Sequence, residues 1–91
     1  MLNVKKLKAV FKEAKELGER KNADYHKDSG PDNIGDMGLD GISVRLYDKV
    51  CRLYSLTRKT DDPNFESIRD TLLDIVNYSA YGVMIQDKEW T

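Results

Sequence analysis

The sequence predicts an all-α domain: a three-helix protomer with a long loop between helices 1 and 2, assembling into an oligomeric helical bundle. Three observations carry this. Apolar residues recur at helical spacing in three separate segments, and no two-residue alternation persists long enough to make a strand. The chain has 91 residues, one domain (1–91) near the lower size limit for a core that stands alone, so oligomerisation is expected.

The first helix is read from Val4, Leu7, Val10, Phe11, Ala14 and Leu17, with Lys5, Lys8, Lys12, Glu13, Lys15 and Glu16 on the opposite side. It runs from Asn3 to about Tyr25. In HKDSGPDNIGDMGLDG (26–41), glycines and Pro31 stand among aspartates and remove any periodicity, leaving a loop of functional length. Asp28, Asp32, Asp36 and Asp40 invite a calcium reading, which fails on position: counted from Asp32, Ile34 takes a ligand place and Met37 the glycine place of an EF-hand.

A second helix should run from Asp40 or Ser43 to Leu56, followed by the polar connector TRKTDDPN. Asp62 ahead of Pro63, or else Asn64, is a natural cap for the third helix. From Phe65 to about Gln86 the pattern is unbroken save for Gly82, and about 1.5 Å per residue makes this a rod of about 30 Å.

Apolar residues at 40% and charged residues at 34% describe a packed protein rather than a disordered one. A net charge of −1 gives no global attraction to nucleic acid or to an anionic membrane. No apolar run reaches the length of a membrane span, and the first residues do not read as a signal peptide, so the chain is expected to be cytoplasmic. The single cysteine, Cys51, has no partner for a disulfide or a zinc motif. It is read as a small core residue in a reducing compartment.

Chemistry concentrates in two stripes. At about 100° per residue, Arg45, Asp48, Lys49 and Arg52 share one arc of helix 2, and the rest of that helix (Leu46, Tyr47, Val50, Cys51, Leu53, Tyr54) is expected to be buried. On helix 3, Glu66, Asp70, Asp74 and Asn77 form a narrow polar stripe on an apolar rod. The acids can share a divalent cation or pair with the basic stripe. Arg45, Lys49 and Arg52 suit a phosphate, Arg through paired donors and Lys as a point charge. The five tyrosines (25, 47, 54, 78 and 81) can stack on a base, although helical spacing places such rings more often in a core.

Other candidate sites draw less support from the sequence. His26 has no second metal-ligating residue at suitable spacing, GPDNIGDMG lacks the Lys and Ser/Thr of a phosphate loop, and neither Ser43 nor Cys51 has a neighbouring base.

Three segments carry a resemblance: KNADY (21–25), VRLYDKVCRL (44–53) and ESIRDTLLDIVNY (66–78). Together they resemble the nucleotide modification associated domain type 1 family of phage and bacterial proteins, over about residues 10 to 85. That family is similar in architecture to MazG-like all-α nucleotide pyrophosphatases, which form oligomers around a four-helix core and use magnesium. The resemblance implies a MazG-like bundle and a cytoplasmic protein of a bacterium or its phage, active in nucleotide metabolism. It also implies that Lys21, Asn22, Asp24, Tyr25, Arg45, Lys49, Arg52, Asn77 and Tyr78 bind ligand. Asp48, Glu66, Asp70 and Asp74 become magnesium ligands if the protein is an enzyme. The glutamate-rich EExxE motif of the pyrophosphatases is missing from helix 2, where Asp48 stands alone among basic residues.

Three functions follow. The first is binding or sequestration of a nucleotide, canonical or cyclic, including signals of host defence, with Arg45, Lys49 and Arg52 on phosphate and Asn77 or a tyrosine on base or ribose. The second is a magnesium-dependent nucleoside triphosphate pyrophosphohydrolase. The third is an interaction protein whose stripes are inter-helix salt bridges.

Overall fold

A computed structural model of the chain describes residues 1–25, 32–59 and 65–90. The protein is all-helical: α1 (Val4–Tyr25), α2 (Gly38–Thr57) and α3 (Phe65–Gln86), with no strand among the described residues. Helix α3 is central. It packs on α2 along one side and on α1 along another, whereas among the described residues α1 and α2 do not pack on each other. No described helix is long and apolar enough to cross a membrane.

Local chemistry sets the ends. Asn3 caps α1, its Oδ1 accepting the Lys6 N–H at 3.1 Å. Ahead of α2, Asp32 Oδ1 accepts the N–H groups of Ile34 (3.1 Å) and Gly35 (2.9 Å), and this winds residues 33–37 into turns. The chain then enters α2 through Gly38 at φ +60°, a conformation glycine takes without a Cβ clash. The helix therefore begins before the expected Asp40 or Ser43. The expected caps Asp62 and Asn64, together with Pro63, His26 and Asp28, lie outside the described residues.

Helix α3 closes with a Schellman arrangement: Glu89 N–H donates to Met84 O (2.8 Å) and Lys88 N–H to Ile85 O (3.0 Å). The left-handed position is Lys88, at φ +59°, where glycine is usual. Lys88→Gly is thus expected to raise stability by about 0.5–1 kcal/mol, read as a higher denaturant midpoint at unchanged slope. The reversal carries Trp90 back onto Tyr81, ring centroids 5.1 Å apart, and the indole Nε1 donates to Asp32 Oδ2 at 2.8 Å.

The buried apolar residues are Ala14, Ile34, Ile42, Leu56 and Leu73. One expectation is corrected here. Cys51 is exposed rather than a core residue, and so are Tyr47, Val50 and Tyr54. The reason is geometric: one neighbour covers one face of a helix. Ile42 and Leu56 turn toward α3, and the Cys51 side lies on the opposite face of α2.

Candidate functional site

The middle of α3 holds three buried polar residues, Thr71, Asp74 and Asn77. Thr71 Oγ1 donates to the Ser67 carbonyl one turn back, at 2.7 Å, which settles that hydroxyl locally. Asp74 and Asn77 instead reach other helices.

Asp74, 7% exposed, receives a lysine from each flanking helix. Lys21 Nζ of α1 lies 2.6 Å from Oδ1, and Lys49 Nζ of α2 lies 3.0 Å from Oδ2. A carboxylate this deep requires such partners, since an unpaired buried charge is costly. The lysines keep their own water contact, with side chains 44% and 28% exposed. Three helices thus meet at one carboxylate, and two of them, α1 and α2, have no packing contact with each other among the described residues.

Asn77 Nδ2 donates to the Ala14 carbonyl at 2.8 Å. A helical carbonyl has a second lone pair beyond its own ladder bond, and Gly18 one turn on leaves it accessible. A Cβ built on Gly18 would lie 2.5 Å from Tyr81 Oη and 3.1 Å from Asn77 Nδ2. Asn77 was expected on a base or ribose; its amide N–H is engaged in holding α3 to α1, because the buried carbonyl is its nearest acceptor.

Around Asp74 lies a small cavity of about 30 Å³, room for one water, lined by Gly18, Lys21, Asn22, Asn33, Ile34, Asp74, Asn77, Tyr78 and Tyr81. Asn33 Oδ1 is buried there with no hydrogen-bond partner among the described residues. Arg45 stands at its edge, donating from Nη2 to the Asn33 carbonyl (3.2 Å) with its guanidinium 5.8 Å from the centre of the Tyr78 ring. Tyr78 and Tyr81 meet edge to face, centroids 6.0 Å apart. Burial pushes the Tyr81 hydroxyl up from its ordinary pKa, so it remains a neutral donor at physiological pH.

The sequence-predicted residues divide accordingly. Lys21, Asn22, Arg45, Lys49, Asn77 and Tyr78 surround or border the cavity. Asp48 and Arg52 are exposed on the part of the α2 stripe turned away from it. Asp24 and Tyr25 belong to the last turn of α1, and their side chains fall outside the described part. The four acids do not come together: Glu66 and Asp70 are exposed, as is Asp48, and only Asp74 is buried. Among the described residues no three acidic, His or Cys side chains converge, so the proposed magnesium ligands do not form a site within one protomer.

Three contributors escaped the sequence reading. Asn33, Asp32 and the bidentate pair of Arg69 with Glu13 all depend on partners dozens of residues away or on backbone atoms. In the last, Arg69 Nη2 donates to Glu13 Oε1 at 2.7 Å and Nη1 to Oε2, tying α1 to α3 at the surface. This hydrogen bonding holds the Glu13 carboxyl below its ordinary pKa. A depressed folded-state pKa gives stability that is present above the unfolded value and lost as pH falls through the folded one. Glu13→Gln should therefore be less stable than wild type at neutral pH, with denaturation midpoints that converge on acidification.

The chain matches no family profile, no curated protein and no solved structure.

Proposed function

We propose that the protein binds a nucleotide or nucleotide-derived signal, with phosphate at Lys21, Lys49 and Arg45 and the base against Tyr78 and Tyr81. The observation that supports this most is the convergence of Lys21 and Lys49, from two helices, on one carboxylate. With Arg45 alongside, three cationic side chains from two helices stand at the mouth of the cavity, a clustering that favours an incoming anion. The neighbours of Arg45 are a neutral carbonyl and a ring face, both weaker than a phosphate oxygen as partners for guanidinium. Asn33 Oδ1 supplies an unmet acceptor for an N–H of a base. The cavity itself has room for a water, so phosphate sits at its mouth, where Lys21 and Lys49 reach solvent. In a cell such a protein acts by sequestering the nucleotide.

Calorimetry with EDTA present, against a panel of canonical and cyclic nucleotides, should give stoichiometric binding to at least one member. Arg45→Met should weaken it about tenfold to a hundredfold, the value of one charge-assisted hydrogen bond. Absence of binding across the panel sinks the proposal. Release of pyrophosphate that requires magnesium would move the function to hydrolysis instead.

A second reading has its own support, since Lys21, Lys49 and Asp74 already satisfy one another as an inter-helix clamp. It predicts a protein that stays folded and oligomeric with no ligand effect in the same titrations.

A further inference from the structure

We infer that Trp90 is a positioning residue for the phosphate binding proposed above, and that it acts through Asp32 on the turn to which Arg45 is moored. The proposal presupposes that binding. Trp90 does not line the small cavity itself. Its route to the cavity is a single carboxylate.

Asp32 is engaged at both oxygens. Oδ2 accepts the indole Nε1–H at 2.8 Å, while Oδ1 accepts the N–H groups of Ile34 (3.1 Å) and Gly35 (2.9 Å). The Asp32 carbonyl accepts the Asp36 N–H at 2.9 Å. These local bonds shape the turn, whereas the indole, 58 positions away in sequence, ties it to the end of α3.

The turn carries part of the site. The Asn33 carbonyl accepts Arg45 Nη2 at 3.2 Å, and Asn33 and Ile34 wall the cavity that contains Asp74. The Ile34 carbonyl accepts the N–H of Gly38, the first residue of α2, at 3.2 Å. An arginine side chain has about 2 kcal/mol of rotamer entropy to lose. An acceptor held in place aims the guanidinium before an anion arrives and so lowers the cost of binding.

Gly35 shows how closely the tail and the turn fit. A Cβ there would run into Asp32 Oδ2 and stand 2.8 Å from the indole Cδ1 and 2.9 Å from Nε1. There is room for a hydrogen and none for a methyl. The indole and the turn are therefore packed to move together.

The test uses the full chain with inorganic pyrophosphate as the probe and EDTA present. Pyrophosphate has no ring to stack on Tyr81 or Trp90, so an effect of position 90 on its affinity has to pass through the protein. Trp90→Phe keeps a ring beside Tyr81 and removes the N–H donor. It should bind pyrophosphate about tenfold more weakly in calorimetry, the value of one hydrogen bond to a charged group, with helical circular dichroism retained. Gly35→Ala, which drives a methyl between Asp32 and Trp90, should weaken binding by a similar factor. Coupling is reciprocal, so in the wild type saturating pyrophosphate should slow hydrogen exchange of the single indole N–H by about the same factor. That measurement needs no variant and decides the matter if either variant unfolds. Unchanged affinity in folded Trp90→Phe, or unchanged indole exchange on binding, overturns the inference and leaves the phosphate site standing. A wild type that binds no pyrophosphate removes the phosphate site, and the role of Trp90 with it.

Discussion

Replacing Lys21 and Lys49 together by methionine is expected to cost about 3 kcal/mol of folding stability, the low end for breaking a buried ion pair. The effect comes from what remains. Asp74 is 7% exposed and loses the two ammonium groups that lie 2.6 and 3.0 Å from its oxygens. The reverse change, Asp74→Asn, leaves two lysines whose side chains already reach water, at 44% and 28% exposed. Its cost should be nearer 1 kcal/mol. Chemical denaturation of the three proteins reads this asymmetry directly. Equal losses would mean that the carboxylate is better solvated than its burial indicates.

Gly18→Leu is expected to lower stability by about 2 kcal/mol, against the usual preference of helices for leucine. Helix propensity alone favours the change by about 0.8 kcal/mol. Overpacking costs about 1–3 kcal/mol, since even a Cβ would stand 2.5 Å from Tyr81 Oη and 3.1 Å from Asn77 Nδ2. Displacing Asn77 from the Ala14 carbonyl loses about 1 kcal/mol more. The steric and hydrogen-bond costs outweigh the propensity. Thermal unfolding at unchanged or higher midpoint would show that α1 and α3 slide apart without penalty at this crossing.

Helix content was legible in the sequence because periodicity is a local signal. The spacing of Val4 to Leu17, and the unbroken run from Phe65 to Gln86, locate α1 and α3 to within a residue or so. The start of α2 was displaced because Asp32 and Gly38 build its entrance through backbone geometry that no apolar pattern records. Of the two polar stripes, Arg45, Lys49, Asp74 and Asn77 lie at or beside the cavity, whereas Asp48, Arg52, Glu66 and Asp70 do not. Within the basic stripe, Arg45 and Lys49 turn to the cavity while Asp48 and Arg52 turn away, a split of tens of degrees on the helix that depends on where α3 lies. Along the acidic stripe burial rises from Glu66 and Asp70 to Asp74 and Asn77, because the flanking helices meet α3 at its middle. Cys51 and Tyr47 illustrate the opposite failure: periodicity marks them as apolar and says nothing of which face of α2 a neighbour covers, and among the described residues nothing covers theirs.

The turn at Lys88 has an optical consequence. Trp90 is the chain's one tryptophan, and the turn fixes its indole beside Tyr81 with its N–H on the carboxylate of Asp32. Emission from that single fluorophore therefore reports the latch between the last residues and the entrance to α2. Release of the latch should shift the emission to longer wavelength while far-ultraviolet ellipticity stays constant, since no helix has to unwind. A base stacked near Tyr81 would alter the same signal, giving the protein a built-in, label-free titration probe.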